Sequence, residues 1–468
     1  MKRWSRWVVD RFGLRPIWDK ALKRRVPRSP WYYGDGFTLL TLLGILVLTG
    51  MFMTLTYAPT PDGAYESVRY ITEHQTLGWF VRGLHYWSAG MMMVMVVFHL
   101  CRILLVGGYK APREGTFLVG VMLLFSVLLM GITGYILRWD ERGLYAMRVV
   151  LHHLDNVPLI GEYLVLFVQG GPELGARTLT RTYGIHVVFV PLTLLLLTGV
   201  HLYLVLLKGI TSKSERQEPI YSVTQQKRLY KQESESEEGG ESFFPETVVA
   251  SGLMAVAVTG LVFLLTLAIG PQALFPEANL TEPTVPEEEW WFWWYSALIA
   301  QLPPALAPIV VVALPVMVFI VLVLLPFIDR SPYRGIKRRP WMAVTVAGLV
   351  IVLLVLSNLR YFSPWTGWPS SEPPAVPPGA EITESAEEGR QLFALYGCNS
   401  CHAVAGDGPR VGPDLARIDA PMDHEELRLF ILSPPEDVAM PAYKGRITEA
   451  ELHRIVEFVL VAQTFRRE

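Results

Sequence analysis

The chain has 468 residues, of which 51% are hydrophobic and only 18% are charged. Because soluble globular domains contain about 25% charged residues, this composition argues against a cytosolic enzyme and against a nucleic-acid-binding protein. The formal net charge of −2 identifies no partner, since the charges are concentrated in a few segments. A run without formal charge from Phe37 to Tyr57 is long enough to cross a bilayer, for which about 20 apolar residues suffice.

Seven apolar stretches are predicted to be transmembrane helices. They cover residues 37–57, 77–106, 116–137, 183–207, 247–270, 304–328 and 340–358. Ten lysines and arginines precede the first stretch and five lie between the sixth and the seventh, which assigns both segments to the cytoplasmic side. With seven spans, the carboxyl terminus is then expected outside. The first 36 residues are basic but lack the apolar run of a signal peptide, so no cleaved signal is expected.

Segments of distinct composition surround these spans. Residues 1–36 are predicted to be an amphipathic cytoplasmic segment, and the acidic stretch 211–246 a solvated cytoplasmic linker. The outer loop 138–182 contains short apolar stretches that fit surface-lying helices. The proline-rich stretch 363–380 predicts a semi-rigid extended arm before a soluble tail at 381–468.

Four of the ten histidines lie deep inside predicted spans. His85 and His99 share the second span, and His186 and His201 share the fourth, at spacings of 14 and 15 residues. On a helix these spacings separate the two histidines by roughly 21–22 Å and return the second to within about 40–60° of the first. Two such helices facing each other can hold two cofactors. Ionisable residues inside a membrane tend to mark function, which favours this interpretation over four separate hydrogen-bonded interior histidines.

Bis-histidine haem is the cofactor that this pattern favours, because neutral imidazoles ligate the iron from both faces of a flat macrocycle. Zinc is disfavoured, since no third or fourth ligand lies within one turn of the histidines. Glycines beside the histidines are expected to let the macrocycle approach the helices. These glycines are Gly83, Gly90, Gly184 and Gly199.

The tail contains a second cofactor motif, C-x-x-C-H, at Cys398, Cys401 and His402. This motif is typical of covalent haem c attachment, with the histidine as an iron ligand. A redox dithiol and half of a zinc site are alternatives, but neither accounts for Met440, which supplies a thioether 38 residues after the histidine. Methionine as the sixth ligand raises the potential of a haem. Met422 is the second candidate for this ligand.

The membrane histidines and their surrounding motifs resemble cytochrome b of the cytochrome bc complexes, most closely the chloroplast and cyanobacterial type. The likeness extends over residues 30–362, and the last three spans are similar to that type's separate subunit IV. The tail resembles a small class I cytochrome c, in which Gly389 or Phe393 meets Phe458. The other matching positions are Arg82, Tyr86, Trp87, Ser88, Ala89, Gly107, Gly108, Tyr109, Lys110, Pro112, Arg113, Glu114, Thr133, Gly134, Tyr135, Trp139, Asp140, Leu179, Thr180 and Arg181.

The resemblance implies an all-α fold class, with a seven-helix transmembrane haem-binding bundle followed by a small extramembrane cytochrome c domain. The implied domains are a cytochrome b four-helix bundle at 37–210, a subunit IV-like three-helix region at 247–362 and a monohaem cytochrome c domain at 381–468. One haem c and two haem b groups are therefore expected. The resemblance also places all of these in a multi-pass protein of a bacterial inner membrane.

The same resemblance pairs the histidines across the two helices. His85 and His186 are expected to ligate the haem near the outer face, and His99 and His201 the haem near the inner face. Four arginines match family positions near the haem propionates, although arginines at membrane interfaces also commonly snorkel to water. These arginines are Arg82, Arg102, Arg113 and Arg181.

An outer quinol site is implied before the sixth span, where the family has a glutamate that accepts a quinol proton. Glu289 aligns with that glutamate, and Glu287 and Glu288 are adjacent alternatives. A carboxylate at the edge of an apolar pocket suits this role, because burial raises its pKa towards the working pH. An acidic cap beneath an interfacial aromatic belt is the competing interpretation. The other residues assigned to quinol binding are Gly134, Tyr135, Trp139, Asp140, Trp290 and Trp291.

The chain departs from the family pattern at several positions. The family usually has proline where Arg138 stands, and Gly34 occupies the position of a cysteine that attaches an extra haem in the chloroplast type, so that haem is not expected. Leu206 replaces an arginine near the inner quinone site. Asp19 and Lys208 are the polar residues predicted to contribute to that site.

The resemblance predicts the haem-carrying core of a quinol:cytochrome c oxidoreductase that uses the quinone pool. A Rieske iron–sulfur centre needs two cysteines and two histidines, and only Cys101 remains outside the C-x-x-C-H motif, so a separate Rieske subunit is expected. A cytochrome c or a terminal oxidase is expected as the acceptor, within a homodimeric complex in contact with membrane lipid. The alternative is a non-bifurcating haem anchor that passes electrons between the quinone pool and a periplasmic enzyme.

Overall fold

The computed structural model describes the chain in several stretches, which form two compact units. The first unit contains residues up to Ala278 and Pro303–Val352, and the second contains Asn279–Leu302 and Leu353–Glu468. The described residues are Trp7, Arg11 and residues 22–279, 288–302, 306–362, 373–377, 379–380, 382–407, 412–418, 422–435, 440, 442–445 and 447–465. Asp19, Glu287 and most of the predicted proline-rich arm lie outside these residues.

The described residues contain seven helices that are long and apolar enough to cross a membrane, which confirms the all-α transmembrane fold. The predicted and actual bounds differ most in the fourth span, whose helical segment begins seven residues earlier than expected. The first to seventh spans are Asp35–Thr54, Gly78–Leu105, Glu114–Ile136, Ala176–Lys208, Phe243–Ala268, Ile309–Ile328 and Pro340–Tyr361. The corresponding α-helices of the last three spans run over Val248–Ala268, Ala307–Ile328 and Pro340–Phe362.

Large apolar side chains remain exposed along the spans, as expected of a surface that faces lipid. Leu196 in the fourth span is 64% exposed and Val256 in the fifth is 72% exposed. The core lies between the helices instead. Leu42, Met92 and Val262 join the first, second and fifth spans in one buried cluster. A second cluster joins the second, third, sixth and seventh spans through residues that include Leu104, Phe117, Leu322 and Met342.

Shorter helices cover one end of this bundle. Pro61–Glu73 follows the first span, and Glu141–Asp155 and Gly161–Gln169 lie in the loop that was predicted to carry surface helices. Asp140 caps the longer loop helix by accepting a hydrogen bond from the backbone N–H of Gly143. Ile136, Met147 and Leu151 form a small core beneath this end.

The segment 211–246 is folded, so the prediction of a solvated linker is wrong. Helices run over Lys213–Gln217 and Val223–Glu235, and the strand Gly240–Ser242 pairs antiparallel with the strand Arg25–Pro27. Glu215 is fully buried and forms a bidentate ion pair with Arg113, both N–O distances being 2.8 Å. The acidic composition of this segment did not indicate that one of its carboxylates is buried and neutralises a buried guanidinium group.

Charged side chains connect further loops at this same end of the bundle. Lys110 donates to Asp329 at 2.7 Å, and Arg339 donates to the hydroxyl of Tyr109 at 2.7 Å. Burial acts to raise the pKa of Asp329, but hydrogen bonds from Lys110 and Tyr109 outweigh it and hold that pKa below its usual value. The loops before the first span and after the second, fourth and sixth spans thus meet at one end, as an alternating topology requires.

The second unit contains a short helix, Trp293–Ala300, and a small helical domain in the tail. The domain's helices are Glu384–Leu395, His424–Leu432 and Glu449–Ala462. The first and last of these cross as predicted. Phe393 and Phe458 meet edge to face with ring centroids 5.3 Å apart. Gly389 lies at the crossing, because a Cβ there would stand 1.9 Å from a carbonyl oxygen of the last helix.

Candidate functional site

The four membrane histidines form two facing pairs. His85 and His186 have ring centroids 6.5 Å apart at an interplanar angle of 63°, and His99 and His201 repeat this arrangement at 6.5 Å and 64°. Two metal–imidazole bonds of about 2 Å separate the ligating nitrogens by roughly 4 Å, and the two half-rings account for the remainder. Each pair therefore has the spacing of two axial ligands on either side of one metal ion.

Glycines of the first and third spans stand behind the outer pair. A Cβ at Gly50 would lie 3.4 Å from Cε1 of His85, and a Cβ at Gly134 would lie 2.7 Å from Cε1 of His186. Ordinary carbon–carbon contacts are about 3.5–4.0 Å, so the third span approaches His186 this closely only because Gly134 has no side chain, whereas the contact at Gly50 is at the short limit of an ordinary one.

The inner pair has the same arrangement. A Cβ at Gly36 would lie 3.8 Å from Cε1 of His99, and a Cβ at Gly120 would lie 3.3 Å from Cε1 of His201. The glycines expected to let the macrocycle approach are not the ones behind the imidazoles, and that expectation stays a prediction. An added Cβ would meet no heavy atom within 4 Å at Gly184 or Gly199, and at Gly83 it would meet the fifth span and the residues after it. Nothing in the structure assigns Gly90 to either histidine pair.

A π-helical turn explains how the unequal histidine spacings are matched. Ile185–Phe189 is π-helical and contains His186. A π turn closes its hydrogen bonds over one residue more than an α turn. It therefore accommodates the one residue by which the His186–His201 spacing exceeds the His85–His99 spacing. Pro191 lies two residues after this turn and lacks an N–H group to donate to it. Each histidine of the fourth span therefore faces a histidine of the second span.

The remaining ring nitrogens of the outer pair contact threonine hydroxyls. Nδ1 of His85 lies 2.9 Å from Oγ1 of Thr49, and Nδ1 of His186 lies 3.0 Å from Oγ1 of Thr133. An axial histidine needs a partner at its second nitrogen to fix its tautomer and its ring plane. Both rings are thereby oriented with Nε2 available to a metal.

These observations fit haem as the resident group. In the described part of the chain no three His, Cys, Asp or Glu side chains cluster as a metal site, so protein ligands alone do not complete a coordination sphere here. Two facing imidazoles with space beside small residues suit an iron whose other four ligands belong to a flat macrocycle. The pairing agrees with the one implied by the resemblance.

Two of the predicted propionate arginines lie at the end of the bundle near the outer histidine pair. Arg82 donates to Oγ1 of Thr72 at 2.9 Å and to the carbonyl of Gln272 at 2.7 Å. Arg181 is exposed and donates to the carbonyl of Phe167. Both guanidinium groups are anchored by the protein, and nothing in these contacts tests a bond to a propionate.

The other two arginines have carboxylate partners within the chain. Arg102 donates to both oxygens of Asp35, at 2.5 and 2.9 Å. Arg113 uses all three of its guanidinium nitrogens on Glu215 and on the carbonyls of Gly209 and Ile210. The contacts of Arg113 therefore support a structural role at the end of the bundle where Glu215 lies.

Most of the residues assigned to one wall of the outer quinol site form a buried turn. Tyr135, Trp139 and Asp140 are 8%, 2% and 0% exposed, and the chain turns at Trp139 with a φ of 51°. Asp140 accepts hydrogen bonds from Gly143 and Phe275 and pairs with Arg138. Arg138 thus occupies the family's proline position and bonds to the loop instead of restricting it.

The candidate carboxylates Glu288 and Glu289 lie in the second unit. Glu288 forms an ion pair with Arg360, with N–O distances of 2.6 and 3.0 Å. Glu289 is 6% exposed and immediately precedes a 3₁₀ turn at Trp290–Phe292. Trp290 and Trp291 lie beside it and meet edge to face at 5.5 Å. The Glu288 carboxylate is thus held by a guanidinium group.

The tail brings its predicted haem ligands together around one core. Cys398, Met422 and Met440 all pack against a buried cluster that includes Val404 and Phe458. Burial raises the pKa of the Cys398 thiol to about 12. Both methionines line this cluster, so the choice of Met440 over Met422 stays a prediction.

His402 is oriented as a haem ligand requires. Its Nδ1 lies 3.0 Å from the carbonyl oxygen of Pro413, which accepts a hydrogen bond from that nitrogen and leaves Nε2 free. Burial lowers the pKa of His402, which keeps the imidazole neutral. A Cβ at Gly412 would lie 2.8 Å from Cε1 of His402, so a glycine again permits the close approach.

Comparisons with known proteins agree with this geometry. The family model described as cytochrome b/b6/petB matches residues 24–209, and that described as cytochrome b(C-terminal)/b6/petD matches residues 277–366. The model described as cytochrome c oxidase, cbb3-type, subunit III matches residues 384–459.

Individual relatives point the same way. The menaquinol:cytochrome c reductase cytochrome b subunit of Bacillus subtilis is 37% identical over 214 residues, covering 44% of this chain and 96% of that protein. Cytochrome b6 of Synechocystis is 37% identical over 207 residues, covering 44% of this chain and 93% of that protein. A solved structure described as a hyperthermophilic respiratory Complex III has a similar fold, with a TM-score of 0.66, 24% identity and coverage of 84% of this chain and 94% of that chain. The chain therefore belongs to the cytochrome b/b6 family, with a petD-like region and a carboxyl-terminal cytochrome c domain joined to it.

Proposed function

We propose that this chain is the haem-carrying core subunit of a quinol:cytochrome c oxidoreductase. It oxidises quinol at the outer face of a bacterial inner membrane, with its amino terminus in the cytoplasm and its cytochrome c domain outside. The observation that carries the proposal is the repeated unit of two facing histidines with a glycine behind each ring, found once near each end of the bundle. Relatives named as cytochrome b of a menaquinol:cytochrome c reductase and as cytochrome b6 support it.

The proposed role of these residues is to hold three haem groups and to orient the ligating imidazoles. His85 with His186, and His99 with His201, hold one b haem each, and Cys398, Cys401, His402 and Met440 hold the c haem. The haems, when bound, supply one-electron transfer across the membrane and at its outer surface. Small residues behind the histidines let the helices close on the macrocycles.

Glu289 is the proposed acceptor of a quinol proton. Its burial next to Trp290 and Trp291 supports this role, because a carboxylate in an apolar environment favours the protonated form. Glu288, whose carboxylate is bonded to Arg360, is the adjacent alternative.

Replacement of the two carboxylates separates these roles. General-base assistance contributes typically ~100- to 10,000-fold to a rate, so Glu289→Gln is expected to lower quinol turnover at least tenfold with normal haem content. Glu288→Gln serves as the matched control and is expected to cost far less. Wild-type turnover in Glu289→Gln, with loss in Glu288→Gln, would assign the proton to the neighbouring carboxylate.

Electron bifurcation requires a partner that this chain does not contain. The proposal therefore includes a Rieske iron–sulfur subunit, proton translocation by a Q cycle, a homodimeric assembly, and a cytochrome c or terminal oxidase as acceptor. Purification of the complex followed by analysis of its iron–sulfur content tests this. A non-bifurcating anchor would instead purify without a Rieske protein and would continue to reduce its b haems when outer-site inhibitors are present.

A further inference from the structure

The two histidine pairs differ in what supports them. In the outer pair, the residue before the facing glycine of the first span is Thr49, whose hydroxyl contacts Nδ1 of His85 at 2.9 Å. In the inner pair, the residue before the facing glycine Gly36 is Asp35. The inner pair thus has the carboxylate of Asp35 where the outer pair has the hydroxyl of Thr49. Both residues belong to the first span and lie 14 positions apart.

Asp35 is placed to act on His99. Its side chain is fully buried, and its Oδ2 lies 3.2 Å from Nδ1 of His99. Arg102 donates to both carboxylate oxygens at 2.5 and 2.9 Å, which fixes the carboxylate and compensates the cost of burying it.

The chemistry of the imidazole selects Asp35 as the partner of Nδ1. When Nε2 of His99 ligates iron, Nδ1 carries the proton of the neutral ring and must donate it. Two groups face Nδ1: the Asp35 carboxylate, and Nη2 of Arg102 at 3.4 Å. Arginine has no acceptor, so only Asp35 can receive this hydrogen bond.

We propose that Asp35 is a positioning residue that lowers the midpoint potential of the inner b haem. A carboxylate bonded to an axial histidine raises the basicity of the imidazole, which favours the more positively charged, oxidised iron. One-electron reduction removes a positive charge next to this carboxylate and is therefore disfavoured. The proposal rests on the proposed function, because it takes His99 as a haem ligand.

The test is a potentiometric titration of the purified complex, in which both b haems are followed by their absorbance. Asp35→Asn keeps the size and the hydrogen-bond acceptor but removes the charge, and Asp35→Thr recreates the outer arrangement. Both variants are expected to shift only the inner component upwards by at least tenfold in the reduction equilibrium constant, equivalent to ~59 mV for one electron. Thr49→Val is the matched control, and it is expected to affect only the outer component.

Arg102 provides the opposing perturbation. Asp35→Asn leaves the buried guanidinium of Arg102 without its carboxylate, which can impair folding. The double variant Asp35→Asn/Arg102→Gln removes both charges and therefore leaves no unpaired buried charge. Arg102→Gln alone is expected to lower the inner potential, since it exposes the iron to an uncompensated carboxylate.

The outcomes are distinguishable. An inner potential that stays unchanged in Asp35→Asn and Asp35→Thr, at normal haem content, would overturn the inference. Loss of the inner haem from both of these variants and from the double variant would also overturn it, because Asp35 would then act on haem retention alone. A wild-type preparation with only one b haem would contradict the proposed function itself.

Discussion

The glycines behind the histidines predict a graded loss of haem. Gly134→Ala introduces a Cβ 2.7 Å from Cε1 of His186, about 1 Å closer than an ordinary carbon contact. Gly36→Ala introduces the same methyl group 3.8 Å from Cε1 of His99, which is an ordinary contact distance. The two substitutions therefore place the same methyl group at different distances from an imidazole, one in each histidine pair.

The size of the effect follows from the cost of overpacking. Extra methyl groups in a well-packed interior cost about 1–3 kcal/mol. At about 1.4 kcal/mol for each factor of ten, this weakens haem binding at the outer pair by roughly 5- to 150-fold in Gly134→Ala. For Gly36→Ala we expect a change below the lower end of this range, because the methyl group fits without displacing the ring.

The assay uses the c haem as an internal standard. Acid acetone extracts b haem and leaves covalently attached haem behind, so the ratio of extracted to retained haem reports occupancy of the b sites. We expect this ratio to fall from two towards one in Gly134→Ala and to stay near two in Gly36→Ala. Gly348→Ala in the seventh span, where a Cβ meets nothing within 4 Å, is the control. Equal losses in Gly134→Ala and Gly36→Ala would refute the reasoning.

Two further predictions concern the buried ion pair of Glu215 with Arg113 and the haem ligand of the tail. Glu215→Gln leaves Arg113 as an uncompensated buried cation, so we expect the free energy of unfolding to fall by about 3–5 kcal/mol in thermal denaturation. Glu235→Gln, at a 63% exposed carboxylate, is expected to change it by less than about 1 kcal/mol. Met440→Ala is expected to lower the potential of the c haem and remove its sulfur-to-iron absorption band, whereas Met422→Ala should do neither; the reverse result would make Met422 the ligand.

The parts of the fold that depend on local composition were predictable. A transmembrane helix is recognised by a run of about 20 apolar residues, so all seven spans were found from the sequence. The crossing of Gly389 with the last helix of the tail was also predicted, because the resemblance to a small cytochrome c supplies that contact. The buried state of Glu215 was not predictable in this way, since composition does not reveal that Arg113 lies 102 positions earlier and needs a partner.

The glycines that face the imidazoles were not predicted, for a different reason. The residues chosen from the sequence were neighbours of the histidines along the same helices, whereas the glycines that face the imidazoles belong to the first and third spans. A signal for them was present: Gly36 and Gly50 are 14 residues apart, as are Gly120 and Gly134, which repeats the spacing of His85 and His99. Equal periods on neighbouring helices indicate positions at equal depths in the membrane.

This common period connects the two sites to the one irregularity of the fourth span. Three of the four helices carry their site residues 14 positions apart, and the fourth carries its histidines 15 apart. On a regular helix the extra residue would rotate His186 by about 100° away from its partner His85. The π turn at Ile185–Phe189 lengthens the chain by that one residue without rotating the rest of the helix. The π turn therefore allows two equivalent histidine pairs. In the sequence it is visible only as a spacing of 15 residues where the other three helices have 14.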